Sequence, residues 1–123
     1  FNFMAETIPS SCPIPRWEIF KQQLHNVSPA EFEQIRLQQA GHIILDVRTA
    51  NEYHDFHVEG AQLMDYLGPD FLDQLEQLDP AQTYMVYCRS GRRSVRACTL
   101  MKNAGFNHLI HLDGGINAWM AHK

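Results

Sequence analysis

Apolar positions along this chain fall into two rhythms. Residues 42–47, 83–87 and 108–112 form short compact runs of Val, Ile, Leu, Met and Tyr without strict alternation, the pattern of strands covered on both faces. Between them the apolar residues recur at helical spacing. Trp17, Phe20, Lys21 and Leu24 trace a stripe over residues 16–25, and Phe32, Ile35, Leu37 and Ala40 trace another after residue 28. Phe71, Leu72, Leu75 and Leu78 predict a helix within residues 69–78, and Val95, Cys98, Leu100 and Met101 one over residues 94–104. A weaker run at 61–64 predicts a short strand, and residues 116–120 begin a terminal helical turn.

The boundaries of these segments carry their own chemistry. Ser28-Pro29-Ala30-Glu31 offers an N-cap hydroxyl, a proline at the first helical position and a glutamate able to close a capping box. Gly41 and Gly105 stop the helices before them, Asp79-Pro80 stops another, and Asn26 reads as a turn. Residues 1–15 hold Pro9, Pro13 and Pro15 and no periodicity, so an extended tail is expected there. Strands alternating with helices, with no two-residue hairpin between strands, predict an α/β fold: a small parallel sheet flanked by helices on both faces. Residues 1–27 are expected to be a lead-in with a short helix, and residues 28–123 a single domain.

Composition narrows the chemistry. A formal charge of −4 with no long basic run argues against nucleic acid, and no apolar run approaches the roughly 18 residues of a membrane span. A soluble, cytoplasmic protein is expected. Cys12, Cys88 and Cys98 are odd in number and unevenly spaced, which argues against a disulfide framework and against a four-ligand zinc site. Positive charge is nevertheless focused: Arg89, Arg92, Arg93 and Arg96 supply four of the ten basic residues beside one cysteine. Such a focus suits a small anion.

That cysteine sits in Tyr87-Cys88-Arg89-Ser90-Gly91-Arg92-Arg93-Ser94, between a predicted strand and a predicted helix, where open α/β folds place their ligands. The five residues from Arg89 to Arg93 can wrap into a cradle of inward N–H groups, with Gly91 permitting a crowded turn. The helix N-terminus and Arg89, Arg92 and Arg93 add positive potential, stabilising a thiolate or a bound anion on Cys88.

At these residues the chain resembles the rhodanese family. Cys88-Arg89-Ser90-Gly91-Arg92-Arg93-Ser94 is similar to the family's active-site loop, and Asp46-Val47-Arg48 with Glu52-Tyr53 to its strand end and turn. His57-Val58-Glu59-Gly60-Ala61 and Leu112-Asp113-Gly114-Gly115 with Ala118-Trp119 resemble two further signatures, in the family's order. Glu59 stands where the family usually has proline, and Phe56 where it commonly has glycine. The resemblance implies sulfur transfer through a Cys88 persulfide. A small anionic donor such as thiosulfate would load the sulfur, with Arg89, Ser90, Gly91, Arg92, Arg93 and Ser94 binding it, and cyanide or a thiol would accept it. Arg89 favours a dianionic donor. No cofactor or metal is called for, and nothing selects an oligomeric state.

Other readings are open to the same residues. A sulfur-relay protein would use the same chemistry with protein partners. A cysteine phosphatase or arsenate reductase generally needs an arginine where Ser94 stands, and a non-catalytic interaction module would not need Cys88. Asp46 and Arg48 are expected to be structural support rather than an acid–base pair. Cys98 reads as a core cysteine, Cys12 as incidental, Arg96 as a solvated helix residue and Trp119 as a packing anchor. His54 with His57, and His108 with His111, have the spacing of helical metal ligands but fall in an expected turn and strand, with no third ligand.

Overall fold

The computed structural model describes residues 14–38 and 41–123. Most of the tail expected over residues 1–15 lies outside them, as do Cys12 and Ala40. The five described strands are β1 (Asn26–Val27), β2 (Ile43–Asp46), β3 (Gln62–Leu63), β4 (Tyr84–Tyr87) and β5 (Leu109–Leu112). They form one sheet, ordered β1-β5-β4-β2-β3, in which every pairing is parallel. The described helices are α1 (Arg16–Lys21), α2 (Pro29–Gln38), α3 (Ala50–Asp55), α4 (Phe71–Glu76), α5 (Arg92–Asn103) and α6 (Gly115–His122).

Alternation along each strand sorts the core into two layers. Tyr84, Val86 and Cys88 face one side, against Phe71 and Leu75 of α4 and Ala97, Cys98 and Met101 of α5. Met85 and Tyr87 face the other, against Phe32 of α2 and Ile116 and Trp119 of α6. Both faces of β4 are therefore covered, which is why its sequence shows no polar alternation. Beyond β2 the chain moves outward to β3, and beyond β4 it moves the opposite way to β5. The ends of β2 and β4, paired at Asp46 and Tyr87, thus flank the sheet's topological switch point.

Several expectations need correction. Leu37 is 69% exposed and Leu72 59% exposed, so neither joins the buried side expected of it. Leu37 lies five residues from Phe32, which at about 100° per residue turns it to the opposite face of α2, and Leu72 is one residue off the Phe71–Leu75 stripe. Helix α1 ends at Lys21 rather than near residue 25, with the Asn26 amide donating to the carbonyls of Lys21 and Leu24. Asn26 itself begins a strand: His111 N–H donates to His25 O and Asp113 N–H to Val27 O, so the sheet starts inside the expected lead-in. The turn expected around His54 is helix α3, closed at its start by a reciprocal capping box between Thr49 and Glu52.

Candidate active site

Strand β4 delivers Cys88 to the switch point with its residue only 1% exposed. The chain then turns through Arg89 and Ser90 to Gly91, whose φ of +117° is a conformation open to glycine, and enters α5 at Arg92. This turn brings the Gly91 N–H to 3.1 Å from Cys88 Sγ and Ser94 Oγ to 3.3 Å from the same sulfur. The loop is held from outside by α6. Ile116 and Asn117 donate backbone bonds to the carbonyls of Cys88 and Arg89, at 2.9 and 3.0 Å. That approach requires Gly115, where a Cβ would fall 2.4 Å from Arg89 O.

The arginines separate by role. Arg93 binds Glu52 through two charge-assisted hydrogen bonds of 2.8 and 2.9 Å, which hold the Glu52 carboxyl down to about 2 despite partial burial, helped by Thr49. Arg93 is in turn raised above its ordinary value, first by Glu52 and further by its proximity to Cys88. Arg89 stands on the rim, 3.8 Å from Glu52 with its side chain 65% exposed. Arg92 leans away over the Trp17 ring of α1, at 5.6 Å, and Arg96 is exposed. Ser90 is exposed at the loop's turn. Of the loop residues singled out by sequence, Gly91 and Ser94 therefore reach the sulfur, Arg93 lies near it, and Arg89 turns outward beside Glu52.

Asp46 and Arg48 stand beside this loop as a buried pair. The Asp46 carboxylate accepts from the Arg48 backbone N–H and guanidinium and from Tyr87 Oη at 2.7 Å, and Arg48 also donates to Phe56 O. Tyr87 Oη accepts from the Val58 N–H, and burial, followed by the charge of Asp46, pushes the tyrosine up. The network ties the ends of β2 and β4 to the segment between α3 and β3.

The residues that sequence reasoning missed are Glu52, as the anchor of the arginines, and His111. The latter lies on β5 between Ile110 and Leu112, pointing to the α5 side with Nε2 2.7 Å from Ser94 Oγ and Nδ1 2.8 Å from Asn26 Oδ1. Its signal was a lone polar residue inside a buried apolar strand. Both members of the other histidine pair are also placed: His54 is on α3, and His57 stacks on the Tyr53 ring and bonds Tyr53 O. Cys98 packs in the core, where burial and then the nearby Cys88 push its thiol up. Trp119 is buried in the opposite layer and donates to Glu33.

This geometry can be set beside known proteins. A family model described as a rhodanese-like domain matches residues 28–122. Thiosulfate sulfurtransferase 18 of Arabidopsis thaliana is 36% identical over 99 residues, covering 71% of this chain and 73% of that protein. A probable adenylyltransferase/sulfurtransferase of Mycobacterium tuberculosis, MoeZ, is 38% identical over 76 residues, covering 62% of this chain and 19% of that protein. The solution structure of a rhodanese-like domain from Anabaena sp. superposes with a TM-score of 0.69 at 28% identity, covering 79% of this chain and 74% of that one.

Proposed function

Because the chain belongs to the rhodanese-like domain family, we propose that it is a sulfurtransferase in which Cys88 carries the transferred sulfur. In the first half-reaction the Cys88 thiolate attacks the outer sulfur of thiosulfate or a related donor. The donor's S–S bond breaks, sulfite leaves with the electron pair, and a Cys88 persulfide anion remains. In the second, cyanide or a thiolate attacks the terminal sulfur and the Cys88 thiolate leaves. No external oxidant or reductant is consumed.

The observation that carries this reading is the Gly91 N–H donating to Cys88 Sγ, at 3.1 Å, in the loop leading into α5. A donor fixed on the sulfur, together with the positive end of a twelve-residue helix and Arg93 nearby, favours an anion there over a neutral core thiol. Arg89 on the rim offers an incoming dianion an exposed charge. A phosphatase reading lacks the arginine it would need at Ser94, which instead bonds inside the cradle. Transfer between proteins is a second reading, using the same chemistry with a protein persulfide as the donor.

Steady-state thiocyanate formation from thiosulfate and cyanide tests the proposal. Parallel double-reciprocal lines and complete loss of turnover in a folded Cys88→Ala variant are expected. Intersecting lines, or turnover that survives Cys88→Ala, would exclude the persulfide route. Slow turnover with thiosulfate alongside rapid reaction with a protein persulfide would favour the relay.

A further inference from the structure

The hydrogen bonds around Cys88 do not end at Ser94. Asn26 donates both amide hydrogens, to Lys21 O at 2.9 Å and Leu24 O at 3.2 Å, so its Oδ1 is left as an acceptor. That acceptor lies 2.8 Å from His111 Nδ1, which must therefore carry the hydrogen. A neutral imidazole protonated on Nδ1 has its lone pair on Nε2, and Nε2 is 2.7 Å from Ser94 Oγ. The Ser94 hydroxyl has three acceptors in reach, His111 Nε2 at 2.7 Å, Gly91 O at 3.1 Å and Cys88 Sγ at 3.3 Å, and the shortest contact draws its hydrogen to His111, leaving an oxygen lone pair toward Cys88 Sγ.

We propose that Ser94, His111 and Asn26 form a buried proton relay for Cys88, in which Ser94 takes the thiol hydrogen while passing its own to His111 Nε2. This rests on the reading of Cys88 as the reacting nucleophile. The S–H bond breaks and an O–H bond forms on Ser94, while the original Ser94 O–H bond breaks and an N–H bond forms on Nε2. The result is a thiolate facing a serine hydroxyl and an imidazolium whose second N–H stays on Asn26. When an acceptor removes the persulfide sulfur, the same steps in reverse return a proton to the departing Cys88 thiolate.

Burial explains why the relay is internal. Cys88, Ser94 and His111 are each at most 1% exposed, so bulk water has little access to the thiol proton from this side. Burial also pushes His111 down to about 4, with Asp113 and the Gly91 carbonyl opposing and Lys21 reinforcing the shift, so the imidazole rests neutral and takes the proton only while Cys88 carries the negative charge. The groups around the imidazole are Ser94 and the Gly91 carbonyl at the start of α5, Asn26 on β1, Lys21 on α1, and Asp113 beyond β5, with Lys21 and Asp113 themselves ion-paired. Negative charge appearing on Cys88 favours the imidazolium across Ser94, and coupled hydrogen bonds in a low-dielectric setting strengthen one another. Asn26 and His111 act through Ser94 and are positioning residues.

The test joins a readout of the resting state to one of reactivity. Nitrogen-15 NMR of the imidazole is expected to show His111 neutral with hydrogen on Nδ1, and hydrogen on Nε2 instead would overturn the relay whatever Cys88 reacts with. His111→Gln keeps a polar side chain but cannot take a proton. Its rate of sulfur loading from thiosulfate at pH 7 should fall about tenfold and converge on the parent's rate at alkaline pH, where the thiol ionises without the relay. Asn26→Ala, which frees the tautomer while leaving the imidazole, should move the profile the same way. Ser94→Ala combined with His111→Gln should be no worse than the more damaging single change, because both break one chain. Superimposable pH profiles in folded His111→Gln and parent proteins would overturn the proposal. If neither protein loads sulfur, the sulfurtransferase reading fails separately, and alkylation of Cys88 by iodoacetamide judges the relay by the same pH comparison.

Discussion

Glu52 shows how much a single carboxylate can decide in a site built from positive charge. Without it, Arg93 and Arg89 would lose the carboxylate between them, and the Arg93 fork would lose both of its hydrogen bonds to the glutamate. Its carboxyl is held at about 2 against an ordinary 4.5, chiefly by the Arg93 bonds. A depressed carboxyl stabilises the folded state above its unfolded value, so this contribution is complete above about pH 5 and is lost as pH falls toward 2. In Glu52→Gln, urea midpoints should be lower at pH 7 and should fall less between pH 5 and pH 3 than in the parent. His111 adds acid sensitivity in a neighbouring window. Being pushed down from 6.5 to about 4, it leaves the unfolded chain binding more protons between those values, so stability declines as pH falls from 6.5 to 4. His111→Gln should flatten that part of the stability curve; an unchanged slope would mean that another group sets it. Cys88 was legible because its loop puts glycine and arginine beside it. The partnership of Glu52 with Arg93 was not, because it joins residues separated by 41 positions, a distance no local pattern encodes.

At the scale of elements, what was legible was what was periodic. Strands β2, β4 and β5 and helices α2, α4 and α5 each contain an apolar run or stripe, and each lies within three residues of its expected bounds. Helix α3 has no such stripe, since Ala50–Asp55 is mostly polar and contributes no fully buried residue. Its only local signature is the Thr49–Glu52 capping box, and Thr49→Ala should cost about 1 kcal/mol in chemical denaturation. Because Glu52 uses the same cap to face Arg93, that variant should also loosen the arginine anchor. Strand β1 is two residues long, too short for any period, and exists because β5 offers it an edge. The start of α6 matters most to the site. Gly115 has a φ of +66° and leaves no space for a Cβ beside Arg89 O, so Gly115→Ala should cost at least about 1–3 kcal/mol from backbone conformation alone. It should also displace the loop, so sulfur loading should slow even at temperatures where the variant is fully folded. Unimpaired loading would show that the α6 contacts do not position Cys88.

Across the whole molecule, parallel topology gathers these pieces at one end of the sheet. The ends of β2 and β4 bring Asp46, Arg48, Tyr87 and Cys88 together, and the following turns add Glu52, the loop arginines and Gly115. The protein as a whole carries a formal charge of −4, yet three arginines, Arg89, Arg92 and Arg93, lie in this loop. Attraction of a thiosulfate dianion should therefore be local, and loading should slow as added salt shortens the screening length. A rate indifferent to salt would remove Arg89 from donor capture. The proposed sulfur-carrying role of Cys88 is tested most directly by the intact mass of the purified protein before and after thiosulfate, with Cys88→Ala as control and a thiol reductant to reverse the change. The expected result is the gain of one sulfur atom only where Cys88 is present, removed by the reductant. No gain on a protein whose Cys88 thiol is demonstrably reactive, or an equal gain in Cys88→Ala, would contradict it.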